Sequence, residues 1–162
     1  FKPLPVRQFF GRILLRLKCY MKKIQIGDIL KISLFPFVVY VVANAFNRLY
    51  SGYNILWWLN VLFHFLGGLS MATSGWVILN LAKNYKKIKT ANIFIDFILI
   101  INFVMAMAVI WEVHELISDI YFFTNAQISN ADTMKDLIMG GLGALFFCLA
   151  WLIRRLAARL AK

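Results

Sequence analysis

Four apolar runs of membrane-crossing length leave this chain few folds. They cover about residues 28–47, 55–82, 92–119 and 133–153, and roughly 20 apolar residues suffice for a helix to cross the hydrocarbon core. In lipid every backbone polar group needs a partner within the protein, so long apolar runs read as helices. The expected fold class is all-α: a polytopic membrane four-helix bundle. Composition agrees. The chain is 62% hydrophobic and 15% charged, whereas soluble domains are about half apolar and about a quarter charged. There is no repeat, low-complexity tract or Gly/Ser linker, and 162 residues leave no room for a second domain. The sequence opens on Phe1 instead of Met, so the natural start is expected upstream and no targeting segment is inferred or excluded.

A net charge of +11 would suit nucleic acid if it formed a folded face. Its placement excludes that reading. Lys2, Arg7, Arg12, Arg16, Lys18, Lys22 and Lys23 precede the first run, Lys83, Lys86, Lys87 and Lys89 join the second to the third, and Arg154, Arg155, Arg159 and Lys162 follow the fourth. Between the first and second runs there is Arg48, and between the third and Asp132 there is no basic residue. This alternation follows the positive-inside rule for four spans with both termini cytoplasmic. Residues 1–27 form a basic segment in which Val6, Phe9, Phe10, Ile13, Leu14, Leu17 and Tyr20 recur at helical spacing. It reads as an amphipathic helix on the inner membrane surface, or as one that packs on a partner subunit. Residues 28–153 would then be the bundle and 154–162 a basic cytoplasmic tail. Cys19 and Cys148 both fall toward the cytoplasmic side, where a disulfide is not expected.

Each run carries a stripe of polar or small residues at helical spacing. Ser33, Pro36, Tyr40, Asn44 and Asn47 share a face of the first; Trp57, Asn60, His64, Gly68, Met71 and Gly75 share one of the second. Met105, Ala108, Glu112, Glu115 and Asp119 align in the third, and Asp132, Asp136, Gly140 and Gly143 in the fourth. Gly68/Ala72, Ser70/Ser74 and Gly140/Ala144 have the small-xxx-small spacing that lets membrane helices approach closely. Much of each stripe is therefore packing.

Depth distinguishes the remainder. At 1.5 Å per residue, His64 lies roughly 14 Å and Glu112 about 10 Å below the outer ends of their spans. Five of the seven acidic residues, Glu112, Glu115, Asp119, Asp132 and Asp136, gather toward the outer side with Lys135. Ionised together, these groups carry a charge of about −4, which a low-dielectric site does not tolerate alone. Protonation, hydration or a bound cation would relieve it. The cofactor is not legible beyond a possible divalent cation, with Glu112, Glu115, Asp132 and Asp136 as candidate ligands. Glu112-Val113-His114-Glu115 is neither the H-E-x-x-H zinc pattern nor the Glu-x-x-His of di-iron bundles. His64, Glu112, Glu115 and Asp136 are the candidate catalytic residues, with His64 as base or proton relay. A buried His64 bonded to Glu112 for structure alone fits equally well. Asn44, Asn60, Asp119 and Lys135 would complete a substrate pocket. His114 points about 130° from the midline of Glu112 and Glu115, so it is expected to face another helix or the interface. Asp132 precedes the fourth run as an N-cap would, and Asp96 is expected to pair with loop lysines. Neither a Gly-x-Ser-x-Gly elbow nor a phosphate loop occurs.

Three segments carry a resemblance: His64-Phe65-Leu66-Gly67-Gly68, Trp111-Glu112-Val113-His114-Glu115, and Asp132-Thr133-Met134-Lys135-Asp136 followed by Gly140-Gly141-Leu142-Gly143-Ala144. Over about residues 55–147 the chain resembles the YjdF-type small bacterial inner-membrane proteins, and it also looks like the wider VanZ-like group. The resemblance implies a small helical membrane protein of the cell envelope and points to His64, Glu112, Glu115, Asp132 and Asp136. VanZ-like proteins are associated with glycopeptide resistance, and no reaction follows from that. The expectation is a protein of the bacterial inner membrane with an outward-facing acidic pocket, which binds or modifies an envelope lipid or lipid-linked headgroup. A cation- or proton-coupled transporter and a structural subunit of a larger membrane complex are the alternatives.

Overall fold

The computed structural model describes residues 25–50, 57–85, 88–89, 92–123 and 129–161, without the side chains of residues 47–50 and Trp57. Among them lie α1 (Ile26–Tyr50), α2 (Trp57–Asn84), α3 (Ile93–Phe122) and α4 (Asn130–Leu160). All four are long and apolar enough to cross a membrane, which makes this an all-α membrane bundle. The surface helix expected within residues 5–23 lies outside the described residues. The basic segment after the fourth apolar run is not a separate element: α4 continues through Arg154, Arg155 and Arg159 to Leu160. It begins earlier than the apolar run suggests, because the Ser129 side chain caps it by accepting from the Asp132 N–H at 3.2 Å. Asp132 is therefore not the N-cap but a first-turn residue, where its negative charge complements the helix N-terminus.

Chain neighbours are not the closest pairs in space. The most extensive packing joins α2 to α4; α3 leans on both, and α1 packs on α2 alone. Small side chains decide this order. A methyl group added at Gly68 would overlap the carbonyl of Gly140, and one at Gly143 would overlap the carbonyl of Phe65. The two backbones touch there, which only glycine allows. Below this seam Ala72, Leu79, Ile100, Val104, Ala144 and Cys148 close the interior, and Cys148 is a free thiol.

The contact of α1 with α2 has a different basis. Pro36 lies inside α1, and a proline there deprives the carbonyl four residues earlier, that of Ile32, of its helical donor. The Ser74 hydroxyl of α2 donates to that Ile32 carbonyl at 2.5 Å. A neighbouring hydroxyl thus satisfies what the proline leaves open, as lipid surroundings require. Other polar side chains are spent locally. Asn44, Asn80 and Asn102 donate to carbonyls one turn back, at 2.8 to 2.9 Å.

Candidate functional site

The glycine seam also sets the site. His64 precedes Gly68 by one turn of α2, and Asp136 precedes Gly140 by one turn of α4. Where the backbones touch, these two side chains must meet. His64 Nε2 lies 3.5 Å from Asp136 Oδ2, and Asn60, one turn before His64 on α2, donates its amide to the same oxygen at 3.1 Å. α3 brings Glu112 to this point. One donor atom from each of His64, Glu112 and Asp136 falls within 4.8 Å of the others. Glu112 and Asp136 are buried, Asp136 to 2% exposure. Its second oxygen, Oδ1, is also buried and has no hydrogen-bond partner among the described residues.

A cavity of about 380 Å³ adjoins the trio, with His64 and Asp136 in its wall. Most of the rest is apolar, from Pro36 and Val39 of α1, Phe63 and Met71 of α2, and Val104 and Met107 of α3. The space exists because α1 packs on α2 alone and stands off from α3. The two helices meet through side chains: the Tyr40 ring sets its edge against Trp111, with centroids 5.6 Å apart and planes at 81°. Trp111 Nε1 donates to Glu115 Oε1 at 2.8 Å. The His114 ring lies 5.4 Å from that of Trp111 and borders the same cavity.

Of the residues expected to form the site, His64, Glu112, Asp136 and Asn60 come together. Glu115 stands one turn along α3 from Glu112, on the cavity wall, held by Trp111. Asp132 is paired with Lys135 on its own helix, so Lys135 is turned toward Asp132 and neither borders the cavity. Asn44 bonds to the Tyr40 carbonyl. Asp119 is half-buried and lies outside the cavity wall. His114, expected to face another helix or the interface, is exposed and borders the cavity beside Glu115. Asp96 does find a lysine, Lys83 at the end of α2, at 2.5 Å. Trp111 escaped the reading of single residues. Its four-residue spacing to Glu115 was the available signal, since such pairs share a helix face.

Chemically, an imidazole nitrogen facing a buried carboxylate can relay a proton. The same nitrogen with two carboxylates can ligate a cation. A mostly apolar wall with a few polar side chains suits an amphiphile.

Residues 9–158 match the model of the family described as "predicted membrane protein (DUF2238)". The chain belongs to this family, the YjdF-type proteins, and is an integral membrane protein. Neither a curated protein nor a solved structure matches it.

Proposed function

We propose that this member of the family binds a lipid or lipid-linked headgroup of the bacterial cell envelope, with the reacting or recognised end at His64, Glu112, Glu115 and Asp136. The cavity carries the reading: about 380 Å³, apolar over most of its wall, and ending on buried polar side chains. That is the polarity profile of a lipid. Lateral access from the bilayer would lie between α1 and α3, where the Tyr40 and Trp111 rings meet. The order of the His64, Glu112 and Asp136 motifs supports a place beside the VanZ-like group and hence an envelope substrate. The distribution of Lys and Arg supports the inner membrane with both termini cytoplasmic, which turns the trio outward. A transporter is less well supported. It needs a path to the opposite face, and Ala72, Leu79, Ala144 and Cys148 fill the way.

Gly67 provides the test. It borders the cavity, and a methyl group added there meets nothing within 4 Å. Gly67→Met should fill the cavity without disturbing the bundle, and loss of a helical glycine favours folding by up to about 1 kcal/mol. Native mass spectrometry of the purified protein should show envelope lipid retained by the parent and lost from Gly67→Met at equal thermal stability. Equal retention by both would refute the cavity as the binding place and favour a structural subunit. Orientation is tested by single cysteines. Those at Ser51 and Gln127 should react with an impermeant reagent from outside, and one at Lys87 should not.

A further inference from the structure

We infer that His64, Glu112 and Asp136 form a binding site for one divalent first-row metal ion, of the zinc or manganese type. The inference concerns the same end of the cavity as the lipid reading but does not depend on it.

Charge supports the assignment first. Two carboxylates are buried within 4.8 Å of each other and of the imidazole. No lysine or arginine forms an ion pair with Asp136 among the described residues, and its contacts are Asn60 and His64. The basic residue nearest along the helix, Lys135, is held by Asp132. A divalent ion neutralises two carboxylates at once in surroundings that do not hydrate them.

The unmatched oxygen is the second, independent observation. Asp136 Oδ2 accepts from Asn60, while Oδ1 is buried with no partner among the described residues. A buried acceptor without a donor costs about 1–3 kcal/mol, and a metal ion is a partner that hydrogen-bonding geometry does not reveal. Asn60 then plays the part of an outer-shell residue that orients a ligating carboxylate.

Geometry supplies the third. Around an ion with bonds of about 2.1 Å, adjacent donors stand roughly 3.0–3.4 Å apart. One donor atom of each of the three residues already lies within 4.8 Å of the others, and His64 Nε2 stands 3.5 Å from the Asp136 carboxylate at its Oδ2 edge, so side-chain rotation brings the set to this spacing. One nitrogen and two carboxylates favour zinc or manganese over magnesium or calcium, which prefer oxygen alone. Three protein donors also leave a coordination position open, and His64 and Asp136 both border the cavity. This donor set differs from the acidic cluster of the sequence. It gains His64 and omits Asp132 and Glu115, which have partners of their own.

The full chain, purified in detergent with any affinity tag removed and stripped with chelator, should retain one zinc or manganese ion after titration and desalting, measured by elemental analysis. Cobalt(II) loaded in its place should show visible absorption of a low-coordinate site, and this band should be lost in His64→Asn. Glu112→Gln and Asp136→Asn should each weaken zinc binding roughly 100-fold or more, the upper end of what outer-shell changes alone cost. Asp132→Asn should leave it within about threefold, since that charge is already paired. Two ligand variants keep the test valid if one fails to fold. Absence of a retained ion in the folded parent overturns the site. Undiminished binding in both Glu112→Gln and Asp136→Asn does so too, because the ion is then held elsewhere. Lipid retention measured on the same samples separates this outcome from failure of the cavity reading.

Discussion

Asp96 and Asp136 are both buried, at 5% and 2% exposure, and lie at opposite ends of the bundle. Their partners on α2, Lys83 and His64, are about 28 Å apart along that helix at 1.5 Å per residue. Asp96 meets the Lys83 ammonium at 2.5 Å. Nearby, Trp76 and Phe97 pack on Trp151, and the Arg155 guanidinium lies 5.3 Å from the centre of the Trp151 ring. There the buried carboxylate is paired with an ammonium and flanked by aromatic rings, which favour membrane boundaries. Asp136 meets an imidazole at 3.5 Å and an amide, beside a second buried carboxylate and an open cavity. The difference teaches how to tell a scaffold charge from a working one. A buried carboxylate with a lysine partner completes a structure, and one with no lysine or arginine partner among the described residues, next to a cavity, is available to a ligand.

The comparison can be broken most sharply at Lys83. Lys83→Met takes from the Asp96 carboxylate the ammonium that touches it, and removing one partner of a buried pair costs about 3 kcal/mol or more. Thermal or denaturant unfolding in detergent should show this loss, and Asp96→Asn added to Lys83→Met should restore most of it. A neutral Lys83→Met would place the two aspartates in one class. A smaller effect is expected at Asn60. Asn60→Leu removes the amide from Asp136 Oδ2, and a buried acceptor without its donor costs about 1–2 kcal/mol. The smallest belongs to Asp136 itself. Asp136→Asn keeps the shape and removes a buried charge, so stability without added metal should stay within about 1 kcal/mol of the parent or rise. A loss comparable to that of Lys83→Met would make Asp136 a scaffold residue like Asp96.

These contrasts were only partly legible in the sequence. The four spans were, because apolar runs of that length have one solution in lipid. The approach of His64 to Glu112 also was, since opposite chain directions bring them to similar depth. Gly68, Gly140 and Gly143 announced close packing, but spacing along one helix does not say which partner receives it. That missing piece placed Asp136, not Asp132, opposite His64. The cap at Ser129 lay before the apolar run began, so Asp132 looked like the cap. The wall formed by Tyr40, Trp111 and His114 depends on α1 standing off from α3. No local pattern encodes that distance.

The Pro36–Ser74 arrangement bears on how such a chain can drift over evolutionary time. The proline frees the Ile32 carbonyl and the serine takes it up, so the two positions are not independently replaceable. Loss of the serine first leaves a carbonyl unpaired at the helix contact, whereas loss of the proline first restores the helical bond and frees the hydroxyl. Substitution therefore has a preferred order, proline before serine. Relatives that keep Pro36 are expected to keep Ser or Thr at position 74, and those that have lost the proline should vary there freely.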